Sequence, residues 1–179
     1  MKTKTAMALA AAAWAALPAQ ATVQVVDFDR LVASTVLDKP FAAGDRLVLD
    51  SFAARQRGRL EQTITFTVDS PLQIDGRANW SVLPRGSRLY RVDIDLLGAD
   101  GELVLSDSFA GRAAGLANSV LAGALGPGTY TLRATGWGGR DASLDLSVAF
   151  AVPEPASAAM MAAGLGLLTL LAARRRRQR

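Results

Sequence analysis

The chain of 179 residues contains no cysteine and no histidine. It therefore has no disulfide, no thiolate nucleophile and no imidazole base. These absences exclude serine or cysteine catalysis with a histidine base, and zinc sites built on Cys or His. A domain without disulfides must be held together by its hydrophobic core, which a body of about 130 residues can supply.

Long apolar runs are also scarce, and the two that exist lie at the ends of the chain. Near the start, two lysines precede an apolar run at residues 6–17 and a proline, and Ala19 and Ala21 follow in the small-x-small form of a signal-peptidase site. The pattern predicts a signal peptide at residues 1–21, cut by signal peptidase after Ala21. An uncleaved N-terminal membrane helix is the alternative.

The second apolar run, residues 156–173, carries no charge and is just long enough as a helix to cross a bilayer core of about 30 Å. The tripeptide Pro153, Glu154 and Pro155 precedes it and breaks regular structure. A basic cluster follows it, made of Arg174, Arg175, Arg176, Arg177 and Arg179. The segment predicts a single transmembrane helix with the arginines in the cytoplasm and the body facing outward. A buried core helix and a permanent anchor are the alternatives.

This order of tripeptide, apolar helix and arginine cluster over residues 152–179 resembles the PEP-CTERM sorting signal of Gram-negative bacteria that make exopolysaccharide. The same motif is also known under an ice-binding protein C-terminal label. The resemblance implies recognition and cleavage by an exosortase near the Pro-Glu-Pro tripeptide. It implies an inner-membrane anchored precursor, and then an exported product at the cell surface, in the outer membrane or outside the cell.

The charge of the whole chain comes from its ends. The isoelectric point is near 10.1 and the net charge +4, but residues 22–152 contain thirteen Lys and Arg against fifteen Asp and Glu, so 13 − 15 = −2. The body is mildly acidic. No nucleic-acid partner is therefore expected.

The body, residues 22–151, alternates apolar and polar residues in short runs separated by Gly, Pro and Asp. This pattern predicts an all-β fold, an antiparallel β-sandwich of jelly-roll-like form. The predicted strands cover residues 24–29, 46–50, 59–69, 72–74, 79–83, 88–97, 102–106, 119–122, 129–134 and 142–151. In the sixth of these, Tyr90 is expected to face the core with Val92, Ile94 and Leu96. Residues 109–125 are otherwise interpreted as a long loop.

The run Leu-Gly-Pro-Gly-Thr-Tyr-Thr-Leu at residues 125–132, with Gly136 and the final strand, loosely resembles the FxDxF-type PEP-CTERM proteins, which are small predicted β-domains. Where that family has Phe-x-Asp-x-Phe, this chain has Leu-Glu-Gln-Thr-Ile at residues 60–64. The resemblance implies a β-rich body and no particular activity.

Three aromatic residues of the body are candidates for contact with sugar rings: Trp80, Tyr90 and Trp137. Trp137 is the main candidate, because a turn at Trp137-Gly138-Gly139 would expose it. The function predicted from the sequence is a non-enzymatic surface or matrix protein associated with exopolysaccharide or biofilm. A carbohydrate-binding module is the alternative.

Acidic residues offer two further hypotheses. Asp93, Asp95 and Asp100 could supply oxygen ligands to Ca²⁺, but their spacing favours a solvated strand face, so no metal and no other cofactor is predicted. The pair Asp93 and Asp95, or Asp27 and Asp29, could serve a carboxylate-only glycoside hydrolase, a remote alternative. We expect no enzymatic activity and assign no catalytic residue.

Threonines alternate in two of the predicted strands, as an ice-binding face would require: Thr63, Thr65 and Thr67 in one, and Thr129 and Thr131 in the other. Threonine is also common on any exposed strand face, which is the simpler interpretation.

Overall fold

The computed structural model describes residues 21–82, 88–153 and 164–166. Within these residues the chain forms eleven strands: β1 Val23–Phe28, β2 Val32–Val36, β3 Arg46–Ala53, β4 Gly58–Val68, β5 Leu72–Ser81, β6 Leu89–Leu97, β7 Leu103–Ser106, β8 Ser108–Ala113, β9 Leu116–Leu125, β10 Gly128–Gly138 and β11 Ala142–Ala151. The predicted signal peptide, except Ala21, and residues 83–87, at the junction of the predicted strands at 79–83 and 88–97, lie outside the described residues.

The strands form two sheets, which confirms the all-β prediction for the body. One sheet has the order β1-β3-β11-β5-β9-β8, and the other has the order β2-β4-β10-β6-β7. We call them the six-stranded and the five-stranded sheet. From β1 to β6 every connection passes from one sheet to the other, as do the connections from β7 to β8, β9 to β10 and β10 to β11. Neighbours in each sheet are therefore mostly distant in sequence.

The prediction that all pairs are antiparallel is wrong at two edges. β1 pairs in parallel with β3, and β2 pairs in parallel with β4. Both pairs arise because the chain crosses to the opposite sheet before it returns, so that it re-enters the first sheet in the same direction. The other strand pairs are antiparallel.

The core lies between the sheets and follows the predicted alternation. In β11, Leu144, Leu146, Val148 and Phe150 are all buried, and in β4 the buried apolar residues are Leu60, Ile64, Phe66 and Val68. An aromatic group joins the sheets: Phe41 stacks on Phe150 with ring centroids 4.3 Å apart and meets Phe66 edge-on at 5.5 Å. Such offset and edge-on contacts are the favoured geometries between aromatic rings.

The break predicted at Asp75-Gly76 does not exist, because β5 is one continuous strand. Gly76 is buried, and a Cβ on it would lie 3.0 Å from the carbonyl oxygen of Leu121 on β9 and 3.4 Å from Val148 on β11. The glycine therefore permits a close approach of the neighbouring strand and does not mark a turn.

The loop predicted at residues 109–125 is also wrong. β8 and β9 form a hairpin joined by Ala114 and Gly115, which both have positive φ, +51° and +80°. Two central residues with positive φ fit the twist of a tight hairpin. The strands predicted at residues 88–97 and 102–106, by contrast, are confirmed as β6 and β7, which pair as an antiparallel hairpin.

Candidate functional site

Trp137 lies in β10 and not in a turn, two residues before the connection to β11. Its strand alternates, with Leu132 and Ala134 buried and Arg133, Thr135 and Trp137 on the outer face of the five-stranded sheet. The side chain of Trp137 is 58% exposed. The predicted exposure is confirmed, but it arises from the parity of a strand and not from a glycine-rich turn.

Tyr90 does not face the core as predicted. It is 40% exposed, and it is the register partner of Trp137 on the neighbouring strand. The pairing of β10 with β6 shifts between Thr135 and Trp137, and Arg91 in this bulge has a φ of +51°. A bulge adds one residue to one strand and reverses its side-chain parity. Tyr90 is thereby brought onto the outer face beside Trp137.

Gly136 makes this bulge possible. A Cβ at position 136 would lie 3.0 Å from the carbonyl oxygen of Tyr90 and 3.2 Å from that of Arg91. Glycine leaves room for the backbone of β6 at this point, whereas a side chain would require that backbone to shift.

The third aromatic candidate, Trp80, lies in the interior. It is 5% exposed, and its ring centroid is 6.3 Å from that of Phe109. Core packing accounts for Trp80, and it cannot contact a ligand at the surface.

Two shallow depressions adjoin Trp137 and Tyr90, with volumes of about 850 and 540 Å³. Both aromatic residues line both depressions. The charged residues of the lining are all arginines: Arg57, Arg59, Arg88, Arg91, Arg133 and Arg140. We call this surface the arginine-aromatic face.

Three of these arginines are partly neutralised by carboxylates. Arg133 donates to Asp95 at 2.7 Å, Arg59 lies 3.2 Å from Glu61, and Arg140 lies 3.6 Å from Asp141. Asp95 is buried and also accepts a hydrogen bond from the Ser106 hydroxyl at 3.0 Å. The pair with Asp95 therefore holds Arg133 in place on the sheet.

The other three arginines have no carboxylate within ion-pair distance among the described residues. The guanidinium of Arg88 lies 4.3 Å from the centre of the Tyr90 ring, a cation–π contact. Arg57 and Arg91 form no ion pair with any described residue. Their charges are available to a ligand.

The calcium candidates do not converge. Asp95 is engaged with Arg133 and Ser106, and Asp100 accepts from the backbone N–H of Glu102 at 3.2 Å in the hairpin turn. Within residues 21–82, 88–153 and 164–166 no group of three acidic residues is arranged to hold a metal ion.

The carboxylates considered for hydrolysis have separate environments. Partial desolvation, and then the charges of Asp95 and Asp107, raise the pKa of Asp93 above its usual value. Asp93 is the register partner of Thr135, at the margin of the arginine-aromatic face. Asp29 is exposed beside Arg30 at 3.7 Å, and Asp27 lies opposite Asp50 across β1 and β3.

A depression on the six-stranded sheet, lined in part by charged residues, was not predicted. Asp50 of β3 is the register partner of Asp145 of β11, and both line this surface with Asp75 and Arg77. Loss of surrounding water, and then the charge of Asp50, raise the pKa of Asp145.

The two threonine rows do lie side by side. Thr131 pairs with Thr65 and Thr129 pairs with Thr67, and the hydroxyls of Thr65 and Thr131 are 3.1 Å apart. Thr65 and Thr131 thus form a hydrogen bond with each other across the strands.

The sorting segment begins where β11 ends. Ala151 is the last residue of β11 and Pro153 is described, whereas Glu154, Pro155 and the arginine cluster lie outside the described residues. Of residues 156–173 only 164–166 are described, and they are helical. Among the described residues no helix is long and apolar enough to cross a membrane.

Sequence reasoning identified Trp137 but missed the arginines around it. They come from strand ends that the register of β4, β10 and β6 brings together. The sequence did contain a pattern that could have indicated these arginines. In three segments, residues 57–59, 88–91 and 137–140, arginine lies near glycine or an aromatic residue.

Comparison with solved structures finds similarity to the pre-peptidase C-terminal domain of a collagenase from Bacillus anthracis. The identity is 12% and the TM-score is 0.39, over 73% of this chain and 97% of that one. No curated protein matches the chain. A family model described as the PEP-CTERM protein-sorting motif matches residues 151–177. The chain therefore carries a PEP-CTERM protein-sorting motif, which begins at the last residue of β11.

Proposed function

We propose that this chain is a non-enzymatic surface or matrix protein whose β body is displayed outside the cell in association with exopolysaccharide or biofilm. The sorting motif implies an exported protein, passed through the membrane and sorted by an exosortase to the cell envelope or surface. The observation that carries the proposal is the position of the motif directly after the last strand of a folded body.

The proposed route has three steps. Signal peptidase cuts after Ala21, residues 156–173 hold the precursor in the inner membrane with the arginines in the cytoplasm, and an exosortase cuts near the Pro-Glu-Pro tripeptide. The structure of the body supports cleavage after Ala21, because the backbone of Thr22 forms hydrogen bonds with the body. Its N–H donates to Asp45 at 2.7 Å, and its carbonyl accepts from the N–H of Arg46 at 2.9 Å.

The mass of the mature protein tests this route. We expect a species from the outer membrane or medium that begins at Thr22 and lacks residues 156–179. Replacing Pro153, Glu154 and Pro155 with alanine should leave uncleaved precursor in the inner membrane. A surface species that still contains residues 156–179 would contradict exosortase processing.

We further propose that the body is a jelly-roll-like sandwich. The order β3-β11-β5-β9 facing β4-β10-β6-β7 supports it, because such a double-sheet arrangement arises from two Greek keys. β1, β2 and β8 then extend the edges.

A second function, favoured by the arginine-aromatic face, is carbohydrate binding. Trp137 and Tyr90 present two exposed aromatic side chains on neighbouring strands, and the C–H face of a pyranose ring is complementary to the electron-rich face of an aromatic ring. Glycan-array binding of the full chain, lost in Trp137→Ala and retained in Phe52→Ala, would support this function. Phe52 is the matched control because it is an exposed aromatic residue on the other sheet. Equal binding by wild type and Trp137→Ala would refute it.

A further inference from the structure

We infer that the ligand of the arginine-aromatic face is an acidic polysaccharide, whose sugar rings stack on Trp137 and lie beside Tyr90 while its carboxylates pair with the surrounding arginines. This inference rests on the proposed carbohydrate-binding function and specifies the class of glycan. It is drawn from the placement of charge around the two aromatic residues.

The register places cations on both sides of the aromatic pair. Across the five-stranded sheet, Arg59 of β4 is the partner of Trp137 of β10, and Trp137 is the partner of Tyr90 of β6. Arg88 covers the Tyr90 ring. Neighbouring strands are about 4.8 Å apart, so this row spans roughly the width of two or three sugar units. An extended chain that stacks on the aromatic residues meets a guanidinium at each end.

The arginines are concentrated at this face and do not reflect the charge of the body. The body has a net charge of −2, yet six of its thirteen cationic residues line the two depressions. Four carboxylates lie among them: Glu61, Asp93, Asp95 and Asp141. Six cations against four anions leave an excess of positive charge, and Arg57, Arg88 and Arg91 carry it.

Arginine suits a carboxylate ligand because its planar guanidinium can donate two parallel hydrogen bonds to one carboxylate. Arg57 and Arg91 are both exposed, so the two guanidinium groups can be reached from solvent. A neutral glycan would make no use of these charges.

The same residue types would also suit a single-stranded nucleic acid, which stacks on aromatic residues and pairs with cations. The carboxylates of this face favour a polysaccharide, because each of its sugars carries free hydroxyls that can donate hydrogen bonds to Glu61, Asp93 and Asp141. The internal sugars of a single DNA strand have no free hydroxyl to donate. Oligothymidylate is therefore included in the experiment below to distinguish the two ligands.

Binding to polygalacturonate and to its fully methyl-esterified form tests the inference, because the two polymers share their sugar and differ in charge. The full chain is used in detergent micelles, with its five C-terminal arginines replaced by glutamine in every protein so that they cannot bind polyanions. We expect polygalacturonate to bind about tenfold or more tightly than the ester, and the preference to fall as NaCl is raised from about 50 to 500 mM.

The double variant Arg57→Gln with Arg91→Gln should lose that preference and keep its binding to the ester. The double variant Arg77→Gln with Arg112→Gln is the matched control, because it removes the same charge from exposed positions on the six-stranded sheet. It should bind polygalacturonate as the parent does. Trp137→Ala should lose both polymers. Thermal melting of each variant verifies that it is folded.

Three results would overturn the inference. Equal binding of both polymers, still lost in Trp137→Ala, would leave carbohydrate binding intact and refute the acidic ligand. Tighter binding of oligothymidylate than of polygalacturonate, lost in the Arg57 and Arg91 variant, would identify a nucleic-acid face. Failure to bind any of these polymers, with Trp137-dependent binding to the glycan array retained, would refute the acidic ligand alone. Failure in both experiments would refute the carbohydrate-binding function as well. The surface-sorting proposal is independent, since the mass of the mature protein decides it.

Discussion

The side-chain amide of Gln62 on β4 donates a hydrogen bond of 2.6 Å to the hydroxyl of Ser51 on β3. The two residues belong to different sheets, and both are buried. The same amide nitrogen donates to the carbonyl of Arg30 at 2.7 Å. Gln62 therefore links the two sheets and the β1–β2 connection through the core, at the central position of the segment where FxDxF-type proteins have aspartate.

Replacing Gln62 with alanine should lower the free energy of unfolding by about 1–3 kcal/mol, because it leaves the Ser51 hydroxyl and the Arg30 carbonyl without their partner in the interior. Urea unfolding measures the change. Thr63→Ala, one residue away on the outer face, should change the free energy by less than about 0.5 kcal/mol. Equal effects of the two substitutions would contradict the structural role of Gln62.

Cleavage after Ala21 should stabilise the body, because it turns the Thr22 amide into an ammonium group beside the buried carboxylate of Asp45. Hydrogen bonds to charged groups contribute about 1 kcal/mol more than neutral ones. Thermal melting at pH 6 should show that the processed chain is more stable than the same chain acetylated at Thr22. The difference should shrink at pH 10, because an α-amino group loses its charge above about pH 8.

Asp45→Asn is the control for this ammonium pair. In that variant the free and acetylated chains should melt at nearly the same temperature. A free chain that is no more stable than the acetylated one in the wild type would show that the ammonium does not pair with Asp45.

Asp145→Asn should raise the melting temperature at pH 7. Partial desolvation and the charge of Asp50 raise the pKa of Asp145, so the folded state binds more protons than the unfolded state between the usual value of 3.8 and the higher folded value. Ionised Asp145 therefore lowers stability as the pH rises through this window. The gain in the variant should be present at pH 7 and absent at pH 3. Equal melting temperatures of Asp145→Asn and the wild type at pH 7 would contradict this destabilisation.

Gly136→Ala should disrupt the bulge that turns Tyr90 outward. Its Cβ would lie 3.0 and 3.2 Å from the carbonyl oxygens of Tyr90 and Arg91, so the backbone of β6 would have to shift, and such overpacking costs about 1–3 kcal/mol. Loss of glycan binding together with a lower melting temperature is the expected result. Gly126→Ala is the control, because no atom lies within 4 Å of the added Cβ. Unchanged melting of Gly136→Ala would show that the bulge does not need glycine.

The sequence predicted strands well where apolar and polar residues alternate strongly. β11 was predicted to the residue, because Leu144, Leu146, Val148 and Phe150 contrast with Asp145 and its polar neighbours. β8 was missed, and only residues 119–122 of β9 were predicted, because small residues such as Ala117 and Ala122 occupy both faces and give no contrast. β2 was missed because none of its residues is buried.

The candidate site was predicted in part. Exposure of Trp137 was predicted from the sequence. The outward position of Tyr90 depends on a bulge at Arg91, which has a positive φ. An arginine in a sequence does not indicate a positive φ, so this bulge could not be predicted. The convergence of Arg57, Arg88 and Arg140 depends on strand order, since these residues lie far apart in the chain. Register between strands that are distant in sequence cannot be inferred from local patterns.

The location of β11 in its sheet determines how the body withstands tension at its C-terminus. The strand is flanked by β3 and β5, and it has eight residue pairs with each. A pull on Pro153 along the strand would load both ladders in shear, so that many hydrogen bonds resist it together. An edge strand such as β8, paired on one side only, could be peeled off bond by bond. The sorting segment is thus fastened to one of the mechanically strongest strands of the body.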